Sequence, residues 1–197
     1  YLFKIYEILL NEVPHKWILQ PGYTKLDLWI QDLSKKVDFF NSWIRRGKTY
    51  WYNFSAFSNP QAFLYCLLQK HSQATHIEIE SLTFSIALVE VEPFEKVDDG
   101  FIIGGLLCNE IEYNRENNEL VKATNSTLTG CPFLKLTIIE KNDLGNQYYQ
   151  CPVYRIMSSK QLFSGNSNYI TSFNLPFSGD IQELIRNGAS LYTMVEN

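Results

Sequence analysis

The sequence predicts an α+β protein in which a helical segment, residues 1–76, precedes a barrel of antiparallel strands, residues 77–197. Three observations predict it. Apolar residues recur at helical spacing before residue 76 and at a spacing of two after it. Charge changes sign at the same place: residues 1–76 carry nine Lys/Arg against five Asp/Glu, and residues 77–197 carry eight against sixteen, within a net charge of −4. All four tryptophans, Trp17, Trp29, Trp43 and Trp51, fall in the first part.

A chain of 197 residues buries roughly 70% of its unfolded surface on folding, so it needs no staple. No window approaches the ~18 consecutive apolar residues of a membrane span. The opening "YLFKIYEILL" has no initiator Met and is too polar and too regularly spaced for a signal peptide, so the sequence reads as a fragment of a longer protein.

Within "YTKLDLWIQDLSKKVDFFNSWIRRG", Leu26, Trp29, Ile30, Leu33, Val37, Phe40 and Ile44 recur at helical spacing. Thr24 is placed to cap this helix with Asp27 three residues on, and Gly47 to end it after Arg45 and Arg46. That gives about 22 residues, roughly 33 Å. Trp29 and Trp43 share the apolar stripe, which is expected to face a core, while Lys35, Lys36, Arg45 and Arg46 lie off it. A second helix is announced by "SNPQAFLYCLLQK", with Asn59 as cap, Pro60 at the first helical position, and Phe63, Leu64, Leu67 and Leu68 facing inward.

After residue 76 the strand candidates are "IEIESLTFSIALVEVE", "GFIIGGLLCNEIEY", "ELVKA", "PFLKLTIIE", "YYQCPVYRIM" and "NYITSFNLPF". The turn "NRENNE" makes a hairpin between Tyr113 and Glu119. A short helix near "DIQELIRNG" and a last strand, "ASLYTMV", finish the sequence. Six or seven antiparallel strands of this length suffice to close a barrel, which removes exposed edges.

Candidate chemistry is sparse. The glycines of "DGFIIGG" are followed by no Lys-Ser/Thr, so Gly104 and Gly105 read as a bulge or tight bend rather than a phosphate loop, and the protein is expected neither to bind nor to hydrolyse ATP. The pairs Glu78/Glu80, Glu90/Glu92 and Glu110/Glu112 each set two carboxylates on one strand face, a pattern that suits calcium or acid–base work but also any solvated outer face. His15, His71 and His76 all lie in the helical part, and no Ser or Cys sits in a nucleophile elbow. Cys66, Cys108, Cys131 and Cys151, separated by 42, 23 and 20 positions, have no second Cys or His at ligand spacing. They read as free, mostly buried thiols in a reducing compartment, so the sequons at Asn53 and Asn125 are expected to go unused. Cys151 alternates with Tyr149 and Val153 and has no local cation to lower its pKa, so it reads as packing. An acidic second half argues against nucleic acid as a partner of the basic cluster "IRRGK".

Taken in order, "VPHKW", "LDLWIQDLSKKVDFFNSWI", "NPQAFLYCLLQ", "GFIIGGLLCNEIEYNRENNELVKA", "CPFLKL", "YYQCPVYR" and "LIRNGASL" resemble the C-terminal domain of dynein heavy chains, over nearly the whole length. "NPQ", "CPVY" and "NYITSFNL" look most like axonemal heavy chains, outer-arm ones in particular. The resemblance implies a helical segment followed by a six-stranded antiparallel β-barrel that lies across one face of the AAA+ motor ring of the same heavy chain and influences how ATP hydrolysis is coupled to movement. It implies a cytoskeletal setting, the ciliary or flagellar axoneme, with dynein subunits and microtubules met through the parent protein. It carries over no catalytic, cofactor or metal residues, so the fragment is expected not to be an enzyme and to need neither nucleic acid nor membrane. Lys35, Lys36, Arg45 and Arg46 are the ring-docking candidates. The alternative is a small-molecule- or lipid-binding β-barrel with a helical lid, for which a well-formed apolar cavity inside the strands would speak.

Overall fold

Helix α1, Leu26–Arg46, has Asp27 in its first turn and gives way at Gly47, whose φ of 73° is the left-handed conformation that ends helices. It belongs to a computed structural model that describes residues 26–47, 49–90, 100–124, 128–144, 148–156, 168–177 and 179–194, the side chains of Leu28, Arg46 and Met194 excepted. The expected cap at Thr24, together with Trp17, His15, Glu92 and the sequon at Asn125, lies outside the described residues.

Strand β1, Tyr52–Asn53, runs into a 3-10 turn, Phe54–Ala56, because the Asn53 side chain accepts from the Ser55 amide at 3.1 Å and the Ser55 hydroxyl at 2.8 Å. The asparagine of that sequon is thus a turn-former. Helix α2, Pro60–Thr75, starts as the sequence indicates, with Asn59 Oδ1 accepting from the Ala62 amide at 3.1 Å, and ends at His76 with a φ of 59°. A 3-10 turn at Ile79–Ser81 then leads into β2, Leu82–Val89.

The later strands are β3, Phe101–Gly104; β4, Leu106–Asn109; β5, Ile111–Asn114; β6, Glu119–Lys122; β7, Thr129–Gly130; β8, Phe133–Glu140; β9, Tyr148–Ile156; and β10, Asn168–Pro176. Helix α3, Ile181–Asn187, capped by Asp180 on the Gln182 amide, and β11, Ser190–Met194, complete the described residues.

These strands do not form the expected six-stranded antiparallel barrel. They form a four-stranded sheet in the order β1-β3-β8-β2, a five-stranded sheet in the order β10-β9-β11-β4-β7, and the β5-β6 hairpin. Two pairs are parallel, β1 with β3 and β11 with β9. Among the described residues none of the sheets closes: β10 lies beside β2 without a ladder between them. The long run "GFIIGGLLCNEIEY" is the source of the difference. Gly105, at a φ of 78°, turns the backbone out of the first sheet and into the second, and Glu110, at a φ of 59°, separates β4 from β5 of the hairpin, so one apparent strand serves three sheets. An added Cβ at Gly104 would meet the Phe133 ring at 2.6 Å, which is why that position too is glycine.

Alternation reads well along β9, whereas β3 is buried at all of its positions. Tyr149, Cys151, Val153 and Arg155 of β9 point inward, and Tyr148 and Gln150 point outward. The core is one cluster in which Tyr52, Phe54, Phe57 and Leu64 from before residue 76 pack with Ile103, Leu134, Leu136, Val153 and Leu191 from after it. Arg155 ties the same two regions together by donating to the backbone oxygens of Ser58, at 3.0 Å, and Phe57.

Candidate docking surfaces

Among the described residues, helix α1 packs on the body through one end. Phe39, Phe40 and Trp43 meet Phe57 at ring separations of 5.9, 5.8 and 6.1 Å, and Trp43 also meets Tyr52 at 5.1 Å. Of the stripe expected to face a core, Phe40 and Trp43 do pack against it, with Phe39 beside them. Its aliphatic side is left open: Ile30 is 51%, Leu33 43%, Val37 47% and Ile44 79% exposed. The spacing that marks a core-facing helix does not say what supplies the core. Ile30, Leu33, Val37 and Ile44 form an apolar row, at steps of three, four and seven residues, on a helix about 31 Å long.

Two of the four basic candidates border this row, Lys36 and Arg45, each about a quarter of a turn from it, whereas positions 35 and 46 fall on the opposite face of the helix. Lys36 is half-buried and paired with Asp32 at 2.5 Å, in the i,i+4 order that suits the helix dipole. Lys35 and Arg45 are exposed, and Arg46 ends the helix with its side chain outside the described residues. The row of exposed apolar side chains is the feature that sequence reasoning misassigned; its signal, the spacing, was visible.

Two open grooves lie at the surface of the described residues. One, about 770 Å³, runs between α2 and the strands, floored by Trp43, Tyr52, Phe63 and Phe101. The other, about 730 Å³, lies under α3 on the outer face of β9 and β11, and is lined by Tyr148, Pro152, Tyr154 and Tyr192. Between the strands the side chains close up: Ile103, Leu134, Leu136, Val153 and Leu191 are fully buried.

No group of three or more His, Cys, Asp or Glu among the described residues is arranged to hold a metal ion. Glu78 and Glu80 are exposed, before and within the 3-10 turn Ile79–Ser81 rather than on a strand, Glu90 pairs with Arg115 at 3.4 Å, and Glu110 and Glu112 lie just before and within β5. His71 is half-buried on α2 and His76 is its exposed left-handed cap. No described helix is long and apolar enough to cross a membrane.

The four cysteines are free. Cys108 and Cys151 are buried, Cys131 is half-buried, and Cys66, expected to be packed, is exposed on α2. Contact with the Cys108 thiol, and burial after it, hold the Cys131 thiol well above its usual range, while burial first and Cys108 second push Cys151 far up. Tyr149, whose hydroxyl donates to the Ala189 oxygen at 2.6 Å, is pushed up to about 12 by burial. Neutral buried thiols are poor nucleophiles. Ellman's reagent is therefore expected to consume Cys66 rapidly in the native protein, Cys131 slowly, and Cys108 and Cys151 only on unfolding, with all four titrating in denaturant without reductant. Rapid native reaction of Cys108 or Cys151, or a thiol released only by reductant, would contradict this arrangement.

The protein belongs to the family of the C-terminal domain of the dynein heavy chain, whose match spans residues 4–193. Among curated proteins it is 29% identical over 92% of its length to dynein axonemal heavy chain 1 of Mus musculus. It is 25% identical over 78% of its length to the dynein alpha chain of the flagellar outer arm of Chlamydomonas reinhardtii, and 25% identical over 73% to the dynein-1-beta heavy chain of the inner arm I1 complex of that organism. These matches identify a C-terminal domain of the axonemal dynein type, from the cytoskeleton of cilia or flagella. The outer-arm and inner-arm relatives match at the same identity. The sequence spans 3–4% of the length of these relatives.

Proposed function

We propose that this protein docks on the AAA+ ring of its own heavy chain and modulates how ATP hydrolysis there drives movement along microtubules in the axoneme. Residues 1–76 and 77–197 act in this reading as two parts of one docking unit, which is not itself an enzyme and takes no cofactor. The observation that carries it is the exposed row Ile30, Leu33, Val37 and Ile44 on a helix anchored to the body at one end. Exposed apolar area of this kind is what a partner covers. Of the four basic candidates, Lys36 and Arg45 border the row as a charged rim that fixes register and orientation, and Lys35 and Arg46, on the opposite face of the helix, meet the partner elsewhere if it wraps the helix. The filled interior between the strands argues against the alternative of a ligand held inside them.

The test uses the parent heavy chain with Ile30→Asp and Val37→Asp, and separately with Arg45→Glu and Arg46→Glu. Both positions of the first pair are solvent-exposed, so circular dichroism is expected to show a folded segment. Loss of two apolar anchors is expected to weaken ring contact by about tenfold or more, read as altered ATPase rate and gliding velocity, and the charge reversal by less. Unchanged motility and ATPase with both folded variants would remove α1 from the mechanism.

A further inference from the structure

The groove beside α2 has a built chemistry that the exposed face of α1 does not share. Its floor is aromatic: the Phe63 ring stands 5.2 Å from Tyr52, 6.1 Å from Trp43 and 6.0 Å from Phe101. Its wall and rim are successive ridges of one helix. Phe63, Leu67 and His71, four residues apart, form the half-buried wall, and Cys66, Lys70 and Ala74, also four apart, form the exposed rim. Helix α2 contains Lys70 and no Asp or Glu, and among the described residues no carboxylate lines the groove. An apolar floor edged by a cation and an imidazole complements an apolar group with carboxylates next to it.

The rim also bears on the size of the occupant. A small molecule is usually enclosed over most of its surface, whereas here Cys66, Lys70 and Ala74 stand open along the whole side. A groove of about 770 Å³ open in this way suits an anchor carried by something larger. We propose that it receives an aromatic or large aliphatic side chain from an acidic peptide segment of a protein partner, with Lys70 and His71 meeting the flanking carboxylates.

Cys66 makes the proposal measurable, because its exposed thiol lies on the rim and would be covered by an occupant. The probe is an acetylated, amidated hexapeptide Glu-Glu-Phe-Leu-Glu-Glu added to the protein spanning residues 1–197, with alkylation of Cys66 by neutral iodoacetamide followed by mass spectrometry. At about ten times its Kd the peptide is expected to slow alkylation roughly tenfold, as occupancy requires. Lys70→Glu, at an exposed position, is expected to weaken the peptide about tenfold while leaving the free rate of Cys66 within about twofold. Replacing Phe-Leu by Ser-Ser in the probe should abolish protection, and replacing its Glu by Lys should weaken it. No protection at about 5 mM, the weak end of specific peptide affinity, would overturn the proposal. So would equal protection by the lysine-flanked peptide, or protection by decanoate alone, which would mark a site for a small amphiphile.

Discussion

Replacing Arg155 with Met is expected to destabilise the protein by about 3 kcal/mol, because it leaves a buried carbonyl, that of Phe57, and a part-buried one, that of Ser58, without their charged donor. Arg155 is 8% exposed, and its guanidinium spans from β9 to the backbone oxygens of Phe57 and Ser58, immediately before the Asn59 cap of α2. Met keeps most of the apolar stem, so the packing loss is small and the measured change reports chiefly on the hydrogen bonds. For a domain of this size the corresponding fall in Tm is roughly 10 °C, read by thermal circular dichroism. Hydrogen exchange should localise part of the effect: amides of α2 are expected to lose more protection than those of β8, an interior strand of its sheet. A Tm change below about 2 °C, well under what a lost buried charged bond produces, would mean that the guanidinium is not what joins the helical region to the sheet.

Gly100→Ala is the second large effect, at about 3 kcal/mol, and it has an internal control. Gly100 has a φ of 84°, and an added Cβ would run into the backbone oxygen of Leu136. That oxygen cannot step aside, since Leu136 lies in β8 opposite Phe101 and is also paired on its other edge with Ile86 of β2. The substitution therefore combines left-handed strain of about 1–2 kcal/mol with an overpacking term of similar size. Gly188, at a φ of 69°, has nothing within 4 Å of an added Cβ. Gly188→Ala is expected to cost about 1 kcal/mol from strain alone. Denaturant unfolding of the two variants separates the terms, and equal midpoints would show that the Leu136 contact relaxes at little cost.

Local elements were legible because their causes are local. Asn59 and Pro60 specify the start of α2 by satisfying or lacking the amides that a first helical turn leaves unpaired. The hairpin pairs Asn114 with Glu119, as the turn residues between them indicate. Cys151 falls on the buried face of β9 because alternation along a strand is a property of its own backbone. The candidate surface was half legible. Leu33 and Val37 announce an apolar row, but whether neighbours cover it depends on where Phe39, Phe40 and Trp43 anchor the helix. For the same reason Cys66, at the edge of the inward face of α2, sits on the rim of a groove rather than in the core.

Short-range periodicity, capping and ordered motifs were enough to specify the helices, most strand positions, the packed face of β9 and membership of the dynein C-terminal family. The partners of the strands were settled by tertiary packing. A spacing of two is the same for parallel and antiparallel neighbours, so nothing local tells that β11 inserts between β9 and β4, parallel to the first and antiparallel to the second. Nor does the run through Gly104 and Gly105 show that its parts enter different sheets. Those choices are made by long-range burial, as Leu191 of the last strand is driven between Val153 and Cys108, and they turn the expected closed barrel into open sheets that share one core.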